Sequence, residues 1–94
     1  MEIQEILKHV AAIVHAHLPD AQVLLFGSWA QQTALPESDL DIGVLHTEKI
    51  PFALYTQMRS EIDALPTLRK IDFVDLNTTD ENFRNSALKH AQTL

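Results

Sequence analysis

A chain of 94 residues with 46% hydrophobic and 21% charged side chains has the size and make-up of one small globular domain, which excludes a two-domain enzyme and a disordered or low-complexity polymer. It contains no cysteine, so no disulfide or thiolate metal site reinforces a core that is modest at this length, and association with another copy or another protein is expected. A formal net charge of -6, with no basic cluster beyond Arg69-Lys70, opposes direct nucleic acid binding and makes a metal cation the expected mediator for any phosphate ligand.

The N-terminus carries Glu2 and Glu5 where a secretion signal carries basic residues, and no apolar run approaches bilayer length, so a cytoplasmic protein without membrane contact is expected. From Ile3 to Leu18 the apolar residues recur at intervals of three and four, the stripe of an amphipathic helix that Pro19-Asp20 ends. Residues 21–26 are a short apolar, β-branched run punctuated by Gly27-Ser28 and read as the first strand. Trp29 to Thr33 suits one or two helical turns, and residues 34–38, with Pro36 and Ser38, read as a loop.

The second strand, Asp39 to Leu45, alternates Asp39, Asp41 and Gly43 against Leu40, Ile42 and Val44, so two carboxylates share a face. Pro51 opens a helix whose apolar positions Leu54, Tyr55, Met58, Ile62 and Leu65 run on to Pro66. Lys70 to Leu76 is the third strand, with Asp72 and Asp75 on opposite faces. Thr78 and Glu81 match a capping box for a last helix with the stripe Phe83, Leu88, Ala91 and Leu94. The order predicts a single α/β (α+β) domain over residues 1–94, with helices packed on a small mixed sheet of three to four strands.

The chemistry is concentrated in Gly27-Ser28 and, after the ten positions 29 to 38, Asp39-Leu40-Asp41. A strand that ends in Gly-Ser before a helical turn offers backbone N–H groups and a hydroxyl to phosphate oxygens. Two acids on one face of a core strand repel each other unless a cation joins them, and hard oxygen ligands suit Mg²⁺. A third carboxylate on the neighbouring strand would complete a two-metal arrangement, with Asp72 the candidate and Asp75 the runner-up. The bland alternatives are a strand-ending turn with a capping Ser28, a solvated strand face, and an ion pair of Asp72 with Arg69 or Lys70. His15 and His17 point in different directions on a helix and are read as surface or helix-end histidines with no chemistry. Trp29 is read as packing against the sheet rather than stacking on a base, and Glu37 and Ser38 as loop-shaping residues.

The stretches GSWAQQTALPESDLDIGVL and KIDFVDL resemble the signature of the DNA polymerase β nucleotidyltransferase superfamily, and most closely that of the prokaryotic minimal nucleotidyltransferases, over residues 5 to 90. The resemblance implies the palm-like nucleotidyltransferase fold, ATP as substrate, Gly27 and Ser28 on the triphosphate, and Asp39, Asp41 and Asp72 as catalytic acids around two Mg²⁺ ions. It also implies a role as antitoxin, transferring AMP to a tyrosine of a helical HEPN-type toxin. Many relatives carry a basic residue shortly after the Gly-Ser, where this chain has Trp29, Gln31 and Gln32. An alternative is therefore an antitoxin or assembly subunit, catalytically weak or inactive, that neutralises its partner by contact. A transferase acting alone on a small hydroxylated acceptor is a third reading.

Overall fold

The computed structural model describes residues 1–94. Its elements are α1 (Ile3–His17), β1 (Gln22–Phe26), α2 (Gly27–Ala30), β2 (Leu40–Leu45), α3 (Phe52–Asp63), β3 (Ile71–Asp75), α4 (Glu81–Leu88) and β4 (Gln92–Thr93). The strands form one mixed sheet in the order β3-β2-β1-β4. β2 is antiparallel to β1 and parallel to β3, and β4 pairs antiparallel with the outer side of β1. A parallel pair needs a crossover connection, and α3 supplies it.

Alternation along the strands divides the core in two. Leu40, Ile42 and Val44 of β2 are fully buried on the face covered by α1 and α3, where they join Ile6, Val10 and Val14 of α1 and Met58 and Ile62 of α3. Burying each of these side chains contributes roughly 1.5–3 kcal/mol before the entropy of ordering is subtracted. On the other face Leu24, Phe26, Leu76 and Ala87 form a smaller cluster under α4, with Phe83 edge-on to Phe26 at 6.1 Å between ring centres. No helix is long and apolar enough to cross a membrane.

The expected elements are present, with three corrections. The helical turn after β1 begins at Gly27 itself and closes by Ala30, and Gln32 ends it in a left-handed conformation with φ 61°. The last helix does not run to Leu94: it stops at Leu88, and Gln92–Thr93 become β4. An extended end satisfies the open edge of β1 and carries Leu94 to the larger core, its N–H donating to the Val23 carbonyl at 2.8 Å. The cap of α4 is Asp80, which accepts from the Phe83 N–H at 2.8 Å. The Thr78 hydroxyl instead donates to the Asp75 carbonyl at 2.9 Å.

His15 and His17 stand in the last turn of α1. His15 Nε2 donates to the Ala21 carbonyl at 3.0 Å, and His17 pairs with Glu61 at 2.7 Å.

Candidate active site

The register of the sheet brings the conspicuous residues together. Phe26 stands opposite Asp41 in the antiparallel pair, and Asp41 stands opposite Asp72 in the parallel pair. Gly27, the next residue after Phe26, therefore lies against the Asp41 side chain, and Asp72 flanks that side chain from β3. Gly27 has φ +72°, and a Cβ there would overlap the Asp41 carboxylate. Only glycine meets both demands.

The loop into Asp39 is pinned from two sides. The Ser38 carbonyl accepts from Trp29 Nε1 at 3.0 Å and from Arg69 Nη1 at 3.0 Å, and the Arg69 guanidinium lies 5.3 Å from the centre of the Trp29 ring. The Ser38 hydroxyl accepts from the Leu35 N–H at 2.9 Å. Trp29 and Ser38 are thus packing and loop residues, as their sequence context suggests. β4 contributes too, because Gln92 Nε2 donates to the Ala30 carbonyl at 3.4 Å and braces α2.

The electrostatics are those of acids gathered without enough compensation. Burial pushes the Asp41 carboxyl above the ordinary value of 3.8, the charge of Asp72 and a hydrogen bond shared with it add to the rise, and Asp39 adds further, while Lys70 acts in the opposite sense. Lys70 Nζ stands 3.7 Å from Asp39 Oδ2 and 3.8 Å from Asp72 Oδ1, with its side chain 70% exposed. Such long, solvated pairs stabilise little.

Hard oxygen donors held against one another suit a hard divalent cation. As they stand, no three acidic or histidine side chains converge to enclose an ion. Mg²⁺ commonly takes one or two carboxylates and completes its shell with water and phosphate oxygens, so the Asp41 and Asp72 pair is a fitting protein contribution. Asp39, paired with Lys70 at 3.7 Å, is a further oxygen donor on the same face.

Asp75 occupies the opposite face, 9% exposed beside Phe73, and its Oδ1 accepts from the Asn77 N–H at 3.0 Å. It serves the turn that closes β3. The ion pair of Asp72 with Lys70, the alternative that the sequence offers for that acid, forms at 3.8 Å, whereas the contact of Trp29 with Arg69 has no signal in the sequence. The alternation that places Lys70 on the same face as Asp72 is the signal that marks the ion pair.

A groove of about 750 Å³ runs beside Asp39 and Lys70, walled by Pro36, Glu37, Pro66 and Leu68. A second cavity, of about 460 Å³, is lined by Tyr55, Phe73 and Asp75 and touches none of Asp39, Asp41 and Asp72.

Comparison with known proteins identifies the family and the fold. Residues 2–94 match the family model described as polymerase beta, nucleotidyltransferase. The chain is 30% identical over 80 residues to a Haemophilus influenzae protein described as "Probable protein adenylyltransferase MntA", spanning 85% of this chain and 70% of the relative. Among solved structures it is similar in fold to a chain of a toxin-antitoxin crystal structure with AMP-PNP, at TM-score 0.71 and 21% identity, covering 93% of this chain and 70% of that one. It is also similar to a chain of the tri-AMPylated Shewanella oneidensis HEPN toxin in complex with MNT antitoxin, at TM-score 0.68 and 18% identity, covering 96% and 69% respectively. With the family model matched over nearly the whole chain, and with Gly27, Asp41 and Asp72 aligned across its sheet, this protein belongs to the polymerase beta nucleotidyltransferase family.

Proposed function

We propose that the chain is a Mg²⁺-dependent protein adenylyltransferase that transfers AMP from ATP to a tyrosine hydroxyl of a HEPN-type helical toxin, acting as its antitoxin in the cytoplasm. The observation that carries this reading is the row formed by Gly27, just past the end of β1, Asp41 on β2 and Asp72 on β3. The names of the similar proteins support it: one is described as a protein adenylyltransferase, and one belongs to a complex with an AMPylated HEPN toxin.

In this reading the Gly27 backbone and the Ser28 hydroxyl lie against the triphosphate, and Asp39, Asp41 and Asp72 hold two metal ions. Bound Mg²⁺ neutralises the polyphosphate and lowers the pKa of the attacking hydroxyl. The tyrosine oxygen bonds to the α-phosphorus, the bond from that phosphorus to the bridging oxygen breaks, and pyrophosphate departs. The hydroxyl proton passes to a carboxylate of the acidic group. The groove beside Asp39 is open enough to admit a side chain of another protein, which suits an acceptor carried by a partner rather than a small molecule enclosed by this chain.

The reading is tested by incubating the protein with its helical partner and ATP labelled in the AMP moiety. Label is expected on the partner with the wild-type chain and absent with Asp41→Asn. A second reading, an antitoxin that neutralises by contact alone, is favoured by Trp29, Gln31 and Gln32 standing where a basic residue would assist the triphosphate.

A further inference from the structure

Lys70 is the one basic side chain paired with the acidic group, bridging Asp39 and Asp72. Its neighbour Arg69 is committed elsewhere, bonded to the Ser38 carbonyl and laid over Trp29. Lys70 is anchored by its backbone alone, its carbonyl accepting from the Leu40 N–H at 3.0 Å, and its ammonium fills the gap between Asp39 and Asp72 at 3.7 and 3.8 Å. Contacts of that length on an exposed lysine break readily. An ammonium on a flexible four-carbon stem is also a mobile charge suited to phosphate.

Resting on the nucleotide reading above, we propose that Lys70 is a triphosphate-binding residue with two stations. Without ligand it occupies the gap between Asp39 and Asp72 as a stand-in cation. With ligand it yields that gap to Mg²⁺ and turns to the triphosphate, supplying from the start of β3 the positive charge that α2 lacks. A divalent ion approaches carboxylate oxygens to about 2.0–2.1 Å, so a single charge at nearly twice that distance is the weaker competitor. Alternation keeps Lys70 and Asp72 on one face of the sheet, and the displaced ammonium stays on the surface where the phosphates would lie.

Two effects of opposite sign follow from removing the charge. Lys70→Met frees the carboxylates for metal but deletes a phosphate contact. Calorimetric titration with Mg²⁺ alone is expected to show tighter binding than wild type by about threefold, and titration with AMP-PNP at saturating Mg²⁺ weaker binding by about tenfold, the scale of one charge-assisted contact. Lys70→Arg is expected to restore most of the AMP-PNP affinity. Unchanged AMP-PNP affinity in Lys70→Met, or Mg²⁺ affinity that does not rise, overturns the two-station role while leaving the nucleotide reading intact. Wild-type protein that binds neither Mg²⁺ nor AMP-PNP overturns that reading and Lys70's role with it.

Discussion

Gly27 and Asp41 fit together so closely that the absence of a side chain on one sets the position of the carboxylate on the other. Gly27→Ala would force a Cβ into the Asp41 carboxylate at a backbone φ of +72°, combining left-handed strain with a steric clash. A loss of about 1–3 kcal/mol in folding stability is expected by urea denaturation, together with loss of AMP-PNP binding. Full nucleotide affinity in that variant would show that Asp41 need not stand where β1 places it.

Gly43→Ala separates stability from the site. A Cβ at Gly43 would come within 2.6 Å of Leu76 Cδ1 in the smaller core, where Leu76 is fully buried. Overpacking of this kind costs about 1–3 kcal/mol, so a lower urea midpoint is expected. Nucleotide affinity at a temperature where the variant is folded should stay at the wild-type level, which distinguishes it from Gly27→Ala.

Asp41 holds its proton more tightly in the folded chain than in the unfolded one. Stability therefore falls as pH rises past 3.8, the ordinary value, and through the raised folded value, and it stays lower above that window. In metal-free buffer Asp41→Asn is expected to melt above wild type at neutral pH, with the gap narrowing as the pH approaches 3.8. Adding Mg²⁺ and AMP-PNP should raise the wild-type midpoint and leave Asp41→Asn nearly unmoved. Equal melting of the two proteins at every pH would mean that the acids are not in conflict.

The pinning of Ser38 gives a measurable consequence further from the acids. Trp29→Phe keeps an aromatic side chain but removes the N–H that donates to the Ser38 carbonyl and part of the ring packed on the core, so a loss of at least about 0.5–1.5 kcal/mol is expected in urea denaturation. Because Ser38 leads directly into Asp39, metal affinity should fall as well, by a smaller factor than in Asp39→Asn. A Trp29→Phe protein as stable as wild type would assign the loop's position to its bonds with Arg69 and Leu35.

Much of this fold is legible in the sequence because each element repeats one period over its length. The stripe Ile6, Val10, Val14 and the alternation Leu40, Ile42, Val44 identify α1 and β2 with their buried faces. Alternation also separates Asp72 from Asp75, and the structure places them on opposite faces as that pattern requires. β4 is not legible, since its two exposed residues carry no period and form a strand only because β1 has an open edge. The cap at Asp80 depends on a turn that consumes the Thr78 and Thr79 hydroxyls, which local motif matching does not register. Strand order depends on contacts between distant segments, and with it the meeting of Gly27, Asp41 and Asp72.

The most direct test is site-resolved mass spectrometry of the helical partner after incubation with this protein, Mg²⁺ and ATP. A tyrosine of the partner carrying AMP is expected with the wild-type chain, and an unmodified partner with Asp39→Asn, Asp41→Asn or Asp72→Asn. A partner that stays unmodified with wild type, yet is neutralised equally well by all three variants, would contradict adenylyl transfer and leave an antitoxin that works by contact.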